Sequence, residues 1–465
     1  MNKRRIIVCV QGLGFVGSAM ATAIAIAKNT KKEFIYDVIG VDLPTLSGKA
    51  RVNSINKGIF PFSTDDLMLT EALAEAHARG NLLATVDDDA YATADIIVID
   101  VHFDINYLDN EPQLSLESFT HALVSVGKKM KDDVLIIIET TVPPGACEKI
   151  IYPIFSGELK KRGLSEVKFK LAHSYERVMP GDNYLSSITD YWRVYAGYNE
   201  IAAKACEKFL KTIINVKKYP LTRLNSTTAS ETAKVLENTY RAVNIAFIDE
   251  WTKYAEKVGI DLFEIVDAIR QRPTHSNIRY PGLGVGGYCL TKDPTFAPAA
   301  AKQIFGFDLQ FPFSRLAIQI NNEMPCHAIA LLKDMFLALS LFRKKILICG
   351  ASYRQNVDDT RYSPSEILMN KLLEEGADVE VHDPYVKEWP EFNLKPLQNL
   401  PSSSLYDAII FAVPHKFYRE LDIVNWVTNK MTIILDANNI FSKHERQLAR
   451  DAGIIIESIG RGRGL

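Results

Sequence analysis

Ile6-Ile7-Val8-Cys9-Val10-Gln11-Gly12-Leu13-Gly14-Phe15-Val16-Gly17 joins a short apolar run to three glycines spaced Gly-x-Gly-x-x-Gly. Such a run is expected as a buried strand, and the glycines mark the turn that leads from it into a helix. Gly12 permits the tight turn, Gly14 lets backbone approach a pyrophosphate, and Gly17 lets helix and strand pack closely. Phe15 and Val16 open that helix, whose first amides would hold the phosphate. The next strand, 38–41, ends in Asp42. Its carboxylate would accept from both ribose hydroxyls and repel a 2′-phosphate, which favours NAD over NADP. The spacing from Gly17 to Asp42 is longer than usual, and the polar insert 29–33 accounts for it.

Outward from this turn, short apolar runs recur at both ends of the chain. They lie at 6–10, 38–41, 96–101 and 134–138, and again at 345–349, 379–382, 408–413, 432–435 and 454–457. Helix-like segments at 18–28, 115–129, 364–375 and 443–451 alternate with them. Strand alternating with helix predicts a parallel sheet covered on both faces, and the pattern occurs twice. The middle differs. From Ser226 to about Gly259, Ala229, Ala233, Leu236, Tyr240, Val243, Phe247 and Trp251 recur at helical spacing without an intervening Gly or Pro, and Ser226 or Thr227 can cap the start. Further helices are expected at 261–270, 297–305 and 313–335. The expected fold class is therefore α/β, with two Rossmann-like parallel-sheet domains (1–221 and 326–465) joined by a central helical domain (222–325) built on one long helix. The long helix is also expected to serve a homodimer or higher oligomer, since an exposed apolar stripe needs a partner.

Composition narrows the function classes. The 465 residues suit two or three domains, and 47% hydrophobic with 24% charged residues is ordinary for a globular protein. A net charge of 54 − 56 = −2 gives no reason to expect nucleic acid or an anionic membrane as partner. Six cysteines without paired spacing suggest reduced thiols, no metal cluster and a cytoplasmic setting. Lys3-Arg4-Arg5 before the first apolar run mimics a signal peptide, but Gln11 and the glycines interrupt that run, so it reads as strand, turn and helix. Lys333 and Asp334 break the apolar stretch 330–342, so no membrane span is expected.

The chemistry concentrates in Leu283-Gly284-Val285-Gly286-Gly287-Tyr288-Cys289-Leu290-Thr291-Lys292-Asp293-Pro294. A lone cysteine is usually a small buried apolar group. Here four glycines (282, 284, 286 and 287) precede it, and they suggest backbone lying against a ligand with amides available for phosphate. A thiolate can hold an aldehyde as a thiohemiacetal, which gives up a second hydride to become a thioester. Lys234 and Asn238 share a face of the long helix and can donate to an oxygen that gains negative charge, although such a pair is most often a solvated surface. Asp293 can activate water for thioester hydrolysis or simply pair with Lys292.

Together these residues resemble the nucleotide-sugar 6-dehydrogenase family (UDP-glucose/GDP-mannose dehydrogenases) over nearly the whole chain. The matching motifs are the glycine turn, Thr140-Thr141-Val142-Pro143-Pro144-Gly145, Tyr175-Glu176-Arg177-Val178-Met179-Pro180-Gly181, Glu231-Thr232-Ala233-Lys234, Glu237-Asn238-Thr239-Tyr240-Arg241 and Gly286-Gly287-Tyr288-Cys289. Near the end come Val357-Asp358-Asp359-Thr360-Arg361-Tyr362-Ser363-Pro364 and His382-Asp383-Pro384-Tyr385. The resemblance implies oxidation of a sugar C6 alcohol to a carboxylate, with two NAD reduced per turnover. It further implies that the C-terminal domain holds the nucleotide of a UDP-sugar. By position, Cys289 is the nucleophile, Lys234 and Asn238 stabilise the oxyanion, and Asp293 with Thr141 positions water. Thr141 also faces NAD, and Glu176 is an acid/base candidate or holds water. Glu176, Arg177, Val178, Gly286 and Gly287 line the substrate, and Arg279 and Arg361 bind its nucleotide or diphosphate. A lysine beside the thiol would favour the reactive thiolate.

Departures from the family pattern are Tyr288, Thr291, Val101-His102-Phe103, Arg354 and Pro180. Some features lean toward a UDP-N-acetylhexosamine of mannosamine or glucosamine type, and Tyr288-Cys289-Leu290 with Lys292-Asp293 leans toward UDP-glucose. GDP-mannose stays an alternative. The rival classes are a two-electron β-hydroxyacid dehydrogenase, which needs neither Cys289 nor the 358–364 signature, and a non-catalytic NAD-binding protein.

Overall fold

The computed structural model describes residues 4–109, 111–164, 168–178, 181 and 183–464. Lys3, Met179 and Pro180 lie outside the described residues, whereas Arg5 of the basic start pairs with Asp37 at 2.9 Å. The chain resolves into two compact units, Met1–Glu237 with Thr295–Gln310, and Asn238–Pro294 with Phe311–Leu465.

The first unit is built on ten strands: β1 (Ile6–Gln11), β2 (Tyr36–Val41), β3 (Leu82–Thr85), β4 (Ile96–Ile99), β5 (Asp104–Leu108), β6 (Glu111–Ser115), β7 (Leu135–Ile138), β8 (Lys170–His173), β9 (Val194–Gly197) and β10 (Thr222–Arg223). Eight of them form one sheet in the order β10-β9-β8-β7-β4-β1-β2-β3. Its middle strands are β-branched runs buried on both faces, because helices cover each side. The expected all-parallel sheet needs one correction: β9 runs antiparallel to β8, with His173 opposite Ala196. The link between them needs no crossover helix, and antiparallel neighbours tolerate that. A separate hairpin pairs β5 with β6. Phe103, just before it, is buried against Phe119 (4.8 Å) and Phe296 (5.6 Å).

In the second unit, β11 (Lys345–Cys349), β12 (Asp378–His382), β13 (Ala408–Phe411), β14 (Ile433–Asp436) and β15 (Ile455–Ser458) form a wholly parallel sheet in the order β12-β11-β13-β14-β15. The long helix runs Thr227–Val258, as its uninterrupted periodicity predicts, and the Ser226 hydroxyl caps it by accepting from the Ala229 amide at 3.1 Å. Helices Leu262–Arg270 and Pro312–Phe336 also fall close to expectation. No helix among the described residues is long and apolar enough to cross a membrane, and none of the six cysteines forms a disulfide.

Candidate active site

Strand β1 delivers the glycine turn at its carboxyl end. Gly12 has φ +89°, and a Cβ there would lie 2.7 Å from the Asp100 carbonyl oxygen. A Cβ on Gly17 would lie 1.8 Å from the Gly12 carbonyl oxygen. Both glycines are demanded by packing. Gly14 differs: a Cβ there would meet nothing within 4 Å, and the helix Phe15–Ala25 that it caps has no side-chain cap. The open face of the turn is therefore the one a pyrophosphate would use. The Tyr184 hydroxyl donates to the Phe15 carbonyl at 2.6 Å, and the Phe15 ring stacks on Phe62, while Val16 is half-buried. Asp42 sits after β2, with its carboxylate held by Arg51 (Nε at 2.7 Å, Nη2 at 3.1 Å) and by the Leu43 amide. Arg51 escaped the sequence reading, because its partner lies nine positions away across a loop.

Loops after β7 and β8 bring a second group together. Thr141 is buried in the loop after β7. Lys234 Nζ donates to the Glu176 carbonyl at 3.0 Å and lies 3.6 Å from its Oε1, with the Tyr175 ring 5.4 Å away. Lys234 is thus not the solvated lysine that a lone Lys-x-x-x-Asn pattern suggests; it is only 6% exposed. Arg177 is engaged structurally, as its guanidinium binds Glu237 (3.1 and 2.9 Å) and the Trp192 carbonyl. Val178 donates its amide to the Glu176 carboxylate. In the same unit, Asp100 and Glu139 directly follow β4 and β7; Asp100 is half-buried, and Glu139 is buried and paired to Arg193 at 2.6 Å. Burial raises both carboxyls, and for Asp100 the neighbouring Glu139 adds to the rise. These acids went unnoticed in sequence because nothing local distinguishes them from loop acids.

In the second unit Asn238 Nδ2 donates to Asp293 Oδ2 at 2.7 Å, and Lys292 Nζ binds Asp293 Oδ1 at 2.9 Å. Asp293 is completely buried, so both alternatives open for it meet a fixed carboxylate whose oxygens are each already bonded. Cys289 is exposed, in contrast to the buried Cys9, Cys147, Cys206 and Cys349. It is the second residue of the short helix Tyr288–Lys292, and the Lys292 ammonium lies 4.3 Å from the Tyr288 ring centroid.

The glycines before Cys289 are tightly packed. A Cβ on Gly286 would lie 2.7 Å from Tyr353 Cβ and 2.8 Å from the Tyr362 carbonyl oxygen, and one on Gly287 (φ +82°) 2.7 Å from the Tyr353 ring. Close packing on the 353–364 loop demands glycine at both positions. Arg361 is held by Asp359 in a two-pronged pair (2.9 and 2.7 Å), the structural alternative to phosphate binding. Arg279 is half-buried and lines a cavity of about 230 Å³ with Pro281, Gly282, Gly284 and Asn438. Burial, then the nearby Arg241 and Arg270, lowers its pKa, as expected of a cation without a counter-charge.

Comparison with known proteins identifies this assembly. Residues 6–214 match the NAD binding domain of the UDP-glucose/GDP-mannose dehydrogenase family, 228–323 its central domain and 347–443 its UDP binding domain. The chain belongs to this family. A UDP-N-acetyl-D-mannosamine dehydrogenase from Methanocaldococcus jannaschii is 31% identical over 463 residues, covering 98% of this chain and 97% of the relative. An NDP-N-acetyl-D-galactosaminuronic acid dehydrogenase from Ralstonia nicotianae is 28% identical over 437 residues, covering 89% and 92%. The solved UDP-D-ManNAc dehydrogenase from Pyrococcus horikoshii superposes with a TM-score of 0.81 at 27% identity, covering 98% of this chain and all of that one. The protein is accordingly an NAD-dependent nucleotide-sugar dehydrogenase, with an NAD-binding domain, a helical centre and a UDP-binding domain. The open face at Gly14 fits the cofactor.

Proposed function

We propose that this dehydrogenase oxidises the C6 hydroxyl of a UDP-N-acetylhexosamine, of the mannosamine type, to the uronic acid through covalent intermediates on Cys289. The substrate class rests on the relatives named above. The covalent route rests on one observation: Cys289 is exposed at the start of a short helix, behind a glycine loop fixed by packing.

Gly12, Gly14 and Gly17 would hold the pyrophosphate of NAD, with Asp42, oriented by Arg51, at the adenosine ribose, and the bound cofactor would supply the hydride acceptor. The remaining work falls to side chains. The C6 alcohol first gives up a hydride and a proton to become an aldehyde; the Cys289 thiolate attacks its carbon to form a thiohemiacetal, loss of a second hydride leaves a thioester, and water cleaves that to acid and free thiol. Asp293 takes one hydrogen of the Asn238 amide and leaves the other for the oxyanion, so that the donor is oriented before the charge develops. Lys234 supplies the second donor, and Glu176 with Thr141 places the water. Arg279 meets the diphosphate, which would provide the counter-charge its surroundings lack.

Two copies are proposed to associate along the long helix. Tyr240, Phe247, Trp251 and Tyr254 fall at helical spacing and are each about half exposed, a contiguous aromatic face. The deciding experiment incubates purified protein with UDP-N-acetylmannosamine, UDP-N-acetylglucosamine, UDP-glucose and GDP-mannose, counting NADH per sugar consumed. Two NADH and a uronic acid from the first sugar are expected; one NADH per sugar would leave only the two-electron rival. Sedimentation of the same preparation should give a dimer, and Trp251→Glu a monomer.

A further inference from the structure

Glu231 lies one helical turn before Lys234, is fully buried, and is used by none of the steps above. Its two oxygens accept the backbone amides of Gly145 (2.6 Å) and Cys147 (2.8 Å). Those amides belong to the loop carrying Thr141 and to the helical turn Cys147–Ile151 that follows it. Gly145 adopts φ +88°, and a Cβ there would lie 2.7 Å from the Phe305 ring, so the loop reaches the carboxylate only with glycine at this position. The preceding helix residue binds the neighbouring loop: the Ser230 hydroxyl lies 2.8 Å from Nδ1 of His173, the last residue of β8, and Glu176 follows in that loop. Val235 completes the face, buried in the same apolar cluster as Val142, Ala146 and Cys147.

We propose that Glu231 is a positioning residue that clamps the Thr141 loop to the turn of helix bearing Lys234, so that the two groups keep a fixed register. This rests on the reading that Thr141 and Lys234 serve the dehydrogenation. A buried carboxylate held by two neutral amides, with no cation among the described residues paired to it, is an expensive way to fasten a loop unless its geometry matters. The titratable groups bearing on it are the Cys147 thiol and Glu148, and burial carries its pKa up to about 7. Protonation turns one oxygen into a donor that faces an amide N–H, so one of the two loop bonds is lost as pH falls through that value. A displacement on the order of 1 Å then costs up to about 100-fold in rate.

The test compares wild type with Glu231→Gln, which keeps the shape and one acceptor, between pH 6 and 8.5. With UDP-N-acetylmannosamine, wild-type kcat should fall below pH 7 at nearly constant KM. The glutamine variant should run about 10- to 100-fold slower at pH 8 and lack that acid limb. A variant with wild-type kcat, or one that keeps the acid limb while losing only melting temperature, overturns the proposal. If wild type oxidises no nucleotide sugar, the functional reading fails separately. NADH titration by fluorescence then tests the clamp alone, and also does so if the variant misfolds. Wild-type affinity should weaken with a midpoint near pH 7, and a flat titration refutes the clamp.

Discussion

Cys289 owes its distinction to what the other thiols have lost. Burial pushes Cys9 up to about 12 and raises Cys147, Cys206 and Cys349 as well, so these sulfurs stay protonated and sealed. Cys289 is exposed, on a helix start whose backbone is fixed by Tyr353 and Pro364. Replacing it with alanine removes the nucleophile without touching the glycine turn of the first unit. Cys289→Ala should therefore lose acid formation by at least about 10³-fold while NADH binding, read by fluorescence, stays within about twofold. Acid production at the wild-type rate would rule out a covalent step. Asp42 and Arg51 teach a related lesson. The carboxylate is not waiting alone for a ribose; a bidentate arginine holds it in place, which fixes its orientation before the cofactor arrives.

At the scale of elements, the strand–turn–helix of the first unit separates two kinds of glycine. Gly17 is jammed against the Gly12 carbonyl, whereas Gly14 faces open space with φ −70°, a value any residue can adopt. Gly14→Ala should therefore fold with a stability within about 0.5 kcal/mol of wild type yet bind NAD at least about tenfold more weakly, because only the cofactor needs the space. Gly17→Ala should lose about 1–3 kcal/mol of stability from the forced shift, measurable as a lower melting temperature. Unchanged NAD affinity in the Gly14 variant would move the pyrophosphate elsewhere. The same contrast explains what could be read in advance. The long helix, the glycine turn and the parallel strands announce themselves, since periodicity and spacing are local signals. The four-residue β8 and β9 and the polar hairpin 104–115 carry too few residues for a period to emerge. The packing around the glycines before Cys289 is not legible for a different reason: Tyr353, Tyr362 and Pro364, which crowd them, come from a distant part of the sequence. Long-range pairing likewise hid the Arg193–Glu139 ion pair and the bond from Asn238 to Asp293.

Across the whole molecule, buried titratable groups of opposite sign set the response to acid. Burial lowers His173 to about 3 and His382 to about 4, and both are fully buried. Unfolded, each would take its proton near 6.5, so the unfolded chain binds more protons between that value and the folded one. Their contribution to stability is complete above pH 6.5 and is lost as pH falls toward 4. Glu231 opposes them: its folded value of about 7 exceeds the unfolded 4.5, so the folded chain binds the extra proton as pH drops through that window. Burial also raises Asp100 and Glu139 in the first unit and Asp358, Glu366, Asp436 and Glu457 in the second, and each of these opposes the histidines in the same sense as Glu231. The His382 contribution should decline from pH 6.5 to 4.5, with a slope of up to about 1.4 kcal/mol per pH unit. Urea unfolding followed by circular dichroism at half-unit pH steps measures it. His382→Gln, which removes the titrating ring but can still bond the Tyr418 hydroxyl, should flatten the slope by roughly that amount. An identical slope in the variant would mean that His382 is already solvated in the folded protein and that acid sensitivity originates elsewhere.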